Sequence, residues 1–405
     1  MTTPAAIRAD FPVFDALDAP FHYLDNAATG QICRDAAEAL IGYETRSRAN
    51  VKRGVYRLAD LATQAFAQAR SQVAKYIGAA APDEVVFTSG ATLALNMAAH
   101  LLEPRLGPGD AIILTELEHH SNIVPWQLLA ERRGAAIRVL PVDDEGRLAL
   151  DRLDQLLDER VRIIAATHVS NVTGAVTDTS RLRAAADRVG ALVVLDGAQR
   201  AAHGPFQVQA LGCDLYAFSG HKLFGATGAG ALWGRGELLA TLPPFLGGGE
   251  MIHRVVLPTG TTFAPPPHRF EAGTPAIGPA LAMGAACAWL ARQDWPAIVQ
   301  NEMRLTERLL DGLSERPGVR VIGPRGLQQR LGVVAFEVAQ VHAHDVCQWL
   351  DRFGVAVRGG HHCAQPLMER FDALATVRAS FAPYNDEADV DALLHGLDDA
   401  IRRLG

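Results

Sequence analysis

Short, continuously apolar runs separated by amphipathic segments constrain this chain more than any other feature. Val85–Thr88, Ala111–Thr115, Ile163–Thr167, Ala191–Leu195 and Leu215–Phe218 are such runs. A strand with one wet face alternates apolar and polar residues, so runs without alternation are buried on both faces. Helical periodicity in Trp126–Arg133 and Leu182–Val189 supplies the cover. The expectation is an α/β fold, a mainly parallel sheet with helices on each side. After about residue 275 the pattern changes. Ala280–Arg292, Ile298–Leu313, His344–Phe353 and Glu387–Leu404 read as helices, and Val319–Ile322, Gly332–Val338 and Val355–Arg358 as strands. This predicts a large domain over residues 17–275 and a smaller α+β domain over 276–405, joined by 1–16. The Gly- and Pro-rich stretch Pro244–Pro267 reads as a linker or surface loop.

Composition narrows the function classes. The 405 residues carry a net charge of −7 and no basic block, which argues against nucleic-acid binding. The five cysteines, Cys33, Cys213, Cys287, Cys347 and Cys363, are odd in number and form no C-x-x-C pair. A disulfide scaffold is therefore not expected, and reduced thiols in the cytoplasm fit better. Met1–Asp15 lacks the apolar core of a signal peptide. Ala272–Ala291 has no charge over the length of a membrane span, but its Gly, Pro and Ala content predicts a loop and a buried helix from about Pro279.

Six motifs carry chemistry. Strand Ala191–Leu195 runs into Asp196-Gly-Ala-Gln199, and ligands of parallel α/β folds sit at such strand ends. A helix-capping Asp is the plain alternative. Phe218-Ser-Gly-His-Lys222 sets a lysine at the next strand's end, beside a Gly-rich loop. A lone loop lysine is usually a solvated charge. A strand-end Asp and Lys together are the two protein groups a pyridoxal phosphate site requires, one to protonate the pyridine nitrogen and one to bond the aldehyde. Val85-Val-Phe-Thr-Ser-Gly-Ala91-Thr92 leads into a helix whose free N–H groups suit a phosphate. Glu118-His119-His120-Ser-Asn122 offers an imidazole that can stack on a planar ring. Its spacing is not that of a zincin, and no metal is expected. Arg358-Gly-Gly-His-His-Cys363 places a thiol on a Gly-rich loop among cationic and imidazole groups, reasons for reactivity and mobility. Arg378 can clamp a carboxylate in two-pronged fashion, or form a surface ion pair.

Together these residues resemble the SufS-type (group II) cysteine desulfurases, which overlap with selenocysteine lyases, among the class V aminotransferase enzymes. The matching stretches are Tyr23–Thr29, Asn50–Gly54, Glu118–Gln127, Ser170–Val172, Asp196–Gln199, Ser219–Lys222, Arg269–Pro275 and Arg358–Ala364, in order over about residues 20–390. The resemblance implies the pyridoxal-phosphate-dependent transferase fold (aspartate aminotransferase-like, fold type I), with a seven-stranded sheet. It implies that Lys222 holds pyridoxal 5'-phosphate as an aldimine, Asp196 pairs with the ring nitrogen, Gln199 and Asn171 meet the ring oxygen, and His119 stacks on the ring. Ala91, Thr92, Ser219 and His221 would bind the phosphate, with Thr274 completing the cup across a homodimer. Arg378 would hold the substrate carboxylate with Asn171 and the backbone around Ala28, and Arg358 would lie near the thiol. Cys363 would accept sulfur from L-cysteine, releasing L-alanine, and pass it to an acceptor protein of the SufE or SufU type for iron–sulfur cluster assembly. L-selenocysteine is the alternative substrate. The chain departs from the family pattern at Lys52, Tyr56, Leu93 and Arg200.

Overall fold

A computed structural model describes residues 3–17 and 20–405. Its strands are β1 (His22–Tyr23), β2 (Val85–Thr88), β3 (Ala111–Thr115), β4 (Ala136–Leu140), β5 (Val161–Thr167), β6 (Leu192–Asp196), β7 (Leu215–Ser219), β8 (Gly230–Gly234), β9 (Ile252–Arg254), β10 (Thr262–Phe263), β11 (Val319–Ile322), β12 (Val333–Val338), β13 (Val355–Ala356), β14 (Arg358–Gly360) and β15 (Thr376–Ser380). The large sheet has seven strands in the order β2-β8-β7-β6-β5-β3-β4. Only β8 runs against its neighbours; the other pairs are parallel. As the unbroken apolar runs require, β3, β6 and β7 are almost wholly buried, their side chains divided between apolar clusters on the two faces.

One consequence governs function. With β8 alone reversed, β2, β3, β4, β5, β6 and β7 all end at the same edge. The register aligns Thr167 with Asp196, and Ser219 with Gly230, which in turn faces Thr88. The helices that cover the sheet have sequence-coded ends. Thr179–Val189 begins at Asp178, whose carboxylate accepts the Ser180 and Arg181 N–H groups, and stops at Gly190 in the left-handed region, φ +70°.

The second sheet is antiparallel, in the order β11-β12-β15-β14. Helices Trp295–Ser314, Ala343–Asp351 and Glu387–Leu404 share its apolar core. The last opens with an Asp386–Asp389 capping box.

Three sequence expectations change. Val355–Arg358 is two strands: β13 pairs in parallel with β1, and β14 pairs with β15, so the chain changes sheets at Val357. Strands β1, β4, β8 and β15 go unread in the sequence, and the Pro244–Pro267 stretch, expected as a linker or loop, holds the short antiparallel pair β9 and β10. β4 is a half-exposed edge, β8 is a run of five between glycines, and Arg378 interrupts β15. Helix Ile277–Ala291 packs its Ala282, Met283, Ala286, Cys287 and Leu290 into the apolar cluster of the large sheet, as do Ile7 and Phe11. Its uncharged face is core, and among the described residues no helix is long and apolar enough to cross a membrane.

A buried ion pair fixes β2 to the segment ahead of Thr274. Arg70 donates to both carboxylate oxygens of Glu271, at 2.6 and 2.8 Å, and to Val85 O, while Glu271 also accepts Phe87 N–H. Removing one partner strands a charge in the interior. Glu271→Ala is expected to cost about 3–5 kcal/mol, read as a lower urea midpoint; an unchanged midpoint would refute the role.

Candidate active site

A cavity of about 270 Å³ opens where the strand ends meet the small sheet. Apart from Thr274, every residue expected to serve the site lines it: Ala28, Ala91, Thr92, His119, Asn171, Asp196, Gln199, Ser219, His221, Lys222, Arg358, Cys363 and Arg378. Thr274 is exposed and lies outside this chain's own cavity, 3.4 Å from Asn50 Nδ2.

Asp196 ends β6, almost fully buried, and accepts the Ala198 N–H at 2.9 Å. Burial raises its pKa, opposed by that bond and by Lys222. Lys222 follows β7 through one tight turn, Gly220–Lys222. Burial lowers its pKa from 10.5 to about 8, despite the opposing pull of Asp196. A lysine so placed offers a neutral, nucleophilic amine near physiological pH.

The far end of the cavity suits an anion. Helix Ala91–Leu102 starts there, and Ser219 Oγ accepts the Ala91 N–H at 2.8 Å. Two glycines permit the approach. Gly90 sits at φ +155°, and a Cβ on Gly230 would lie 2.5 Å from Gly90 Cα. His221 and Thr29 join at 3.2 Å on the same side.

His119 follows β3. Its Nδ1 accepts the Ser121 N–H at 3.1 Å, so the ring proton belongs on Nε2. Burial and nearby Lys222 press its pKa down to about 4, leaving a flat, neutral imidazole. Behind it Glu118 is fully buried, bonded to Thr115, Asn122 and the Thr167 N–H, and burial lifts its pKa to about 8. Gln199 donates to Ala27 O at 2.8 Å, and Asn171 donates to His362 O at 2.8 Å.

The small sheet supplies two arginines. Arg358 and Arg378 are register partners across β14 and β15. Like charges set opposite each other repel. Asp25 resolves the conflict: it accepts from Arg358 at 3.0–3.2 Å and from Arg378 Nη2 at 3.2 Å. Arg378 is buried, also donates to Asn171 O at 2.9 Å, and keeps an Nε without a partner among the described residues. Sequence reasoning missed Asp25 although it lies within the quoted Tyr23–Thr29 motif. Only the pairing of β14 with β15 reveals why an acid is needed there.

Cys363 is the exposed thiol, on a loop where His362 and Cys363 both adopt positive φ, 52° and 55°. Burial pushes Cys33 and Cys347 up to about 12, and Cys213 and Cys287 higher still, which makes them inert. His362 is buried against Thr376 and held neutral by burial. Among the departures, Lys52 Nζ meets His268 Nδ1 at 3.1 Å, Arg200 donates to His203 O and Gly204 O, and Leu93 lines a separate apolar cavity.

Fold and site together define a pyridoxal-phosphate-dependent transferase architecture. A family model for aminotransferase class-V matches residues 22–393. The chain is 46% identical over 401 residues to a probable cysteine desulfurase of Streptomyces coelicolor, covering 97% of this chain and 96% of that one. It superposes on the crystal structure of the cysteine desulfurase CsdA of Escherichia coli with a TM-score of 0.93, at 40% identity and full coverage of both chains. For the apo cysteine desulfurase of Thermococcus onnurineus the TM-score is 0.94, at 38% identity over 99% of each. The chain belongs to the aminotransferase class-V family, in its group II cysteine desulfurase branch, a family of pyridoxal-phosphate enzymes.

The lysine's lowered pKa has a measurable sign. In cofactor-free protein, acylation of Lys222 followed by mass spectrometry should rise to half-maximum near pH 8 rather than 10.5. Asp196→Asn should move the midpoint lower, because the carboxylate is what holds it up. A midpoint in the ordinary lysine range would contradict the geometry.

Proposed function

We propose that this chain is a cysteine desulfurase: L-cysteine and the Cys363 thiol give L-alanine and a Cys363 persulfide. The observation that carries the proposal is one cavity shared by a lysine of lowered pKa, a buried strand-end carboxyl and the one exposed thiol. The residues fit pyridoxal 5'-phosphate. Lys222 can bond its aldehyde, Asp196 its ring nitrogen, and Gln199 and Asn171 its ring oxygen. His119 offers a neutral face to the ring. The helix start at Ala91 and Thr92, with Ser219 and His221, suits its phosphate. When bound, the group supplies an electron sink for charge developing at the substrate Cα.

The chain's own residues do the rest. Arg378, kept in place by Asp25 and Asn171 O, binds the substrate carboxylate beside the Ala28 backbone, with Arg358 close by. The Lys222 amine takes the Cα proton and later returns one to carbon. The Cys363 thiolate attacks the substrate sulfur. A sulfur–sulfur bond forms as the carbon–sulfur bond breaks, its electron pair staying with the carbon fragment, which is protonated and leaves as alanine.

Exposed Thr274, outside the lining of its own cavity, supports a homodimer in which it serves the site of a second copy. Exposed Val55, Tyr56, Val255 and Leu257 support the same reading. Exposure of Cys363 supports onward transfer to an acceptor protein of the SufE or SufU type, for iron–sulfur cluster assembly in the cytoplasm.

Cys363→Ala should keep the visible absorbance of bound cofactor and reduce alanine formation from L-cysteine to background, whereas Lys222→Ala should lose that absorbance. Full activity in Cys363→Ala, or turnover of L-selenocysteine alone, would contradict the proposal.

A further inference from the structure

The Glu118–Asn122 motif contains two adjacent histidines, and the site above uses only the first. Neighbouring side chains on such a turn diverge, and here they diverge to different tasks. His119 faces the cavity. His120 faces the Cys363 loop and bonds it twice. Its backbone N–H donates to Cys363 O at 2.7 Å, and its Nε2 accepts the Gln365 N–H at 3.2 Å. Within the loop His361 Nδ1 accepts the Cys363 N–H at 3.1 Å, and the His361 ring lies 5.7 Å from that of His120, while Asn171 donates to His362 O at 2.8 Å from outside it.

These bonds oppose a conformational cost. His362 and Cys363 are consecutive non-glycine residues with positive φ, following Gly360 at φ +136°. Each such residue is strained and persists only where its surroundings over-determine it. Buried His362, bonded to Thr376, anchors one side of the thiol, and His120 anchors the other. Partial burial and the facing His361 depress the His120 pKa, so its Nε2 lone pair is available at neutral pH.

We infer that His120 is a positioning residue that clamps the sulfur-accepting loop in its strained form, tying the place of the Cys363 thiol to the turn that carries His119. The inference rests on Cys363 being the sulfur acceptor. It assigns to this histidine the alignment of thiol and substrate sulfur, a task separate from binding cofactor or substrate. A 1 Å error in such alignment is enough to slow a reaction sharply.

The test uses cofactor-loaded protein with His120→Leu, which removes the acceptor, and His120→Gln, whose Oε1 can reach the Gln365 N–H. In the leucine variant, hydrogen exchange at the Gln365 and Cys363 amides should quicken by about 2- to 10-fold, the range one hydrogen bond contributes. Its kcat for alanine formation should fall by a similar factor, with KM for L-cysteine and cofactor absorbance unchanged. Glutamine should restore exchange protection and kcat together. Unaltered exchange in the leucine variant, or a glutamine variant no better than leucine, would overturn the clamp. Faster exchange with undiminished alanine formation would overturn the positioning role of His120, whereas full activity in Cys363→Ala would count instead against Cys363 as the sulfur acceptor.

Discussion

Asp25 holds the two halves of the site together. It leaves the short strand β1 and reaches two arginines that the antiparallel sheet sets face to face. Without a shared acid, β14 and β15 would carry opposed charges at paired positions. With it, Arg378 is fixed against Asn171 O, at the edge where β5 and β6 end. A segment near the N-terminus, the large sheet's edge and the C-terminal sheet are thus joined through one carboxylate. Charge-assisted bonds to a guanidinium are among the stronger polar contacts available to a protein, and this set fixes where the Arg378 side chain lies in the cavity.

The large sheet supplies the complementary constraint. Reversing β8 alone leaves six strand ends on one edge, so Asp196 and the turn to Lys222 share a place with the start of helix Ala91–Leu102. Burial at that edge acts in opposite senses on the two ionisable groups. It raises the acid and lowers the amine, and their mutual attraction limits both effects. The result is an amine able to change protonation near neutral pH, beside a carboxyl that needs a cationic partner.

The sequence was most legible where burial is two-sided. β2 and β3 have the spans expected from their apolar runs, and β5, β6 and β7 follow theirs within two residues. Lys222, Asp196 and Cys363 could be singled out because each sits at the end of a run or beside glycines. Legibility failed where tertiary pairing decides. Arg378 and flanking Thr and Ser break the apolar signature of β15, although all its residues are buried. Val355–Arg358 reads as one strand because nothing local marks the change of sheet at Val357. Asp25 and His120 escaped for the same reason: their partners lie more than 200 residues away in the chain.

In the proposed reaction sulfur passes from substrate to one particular thiol. Mass spectrometry of the protein after brief exposure to L-cysteine, digested without reductant, tests this most directly. The peptide bearing Cys363 should gain one sulfur atom, while those bearing Cys33, Cys213, Cys287 and Cys347 remain unmodified. Alanine released with Cys363 unmodified, or sulfur on one of the other cysteines, would contradict it.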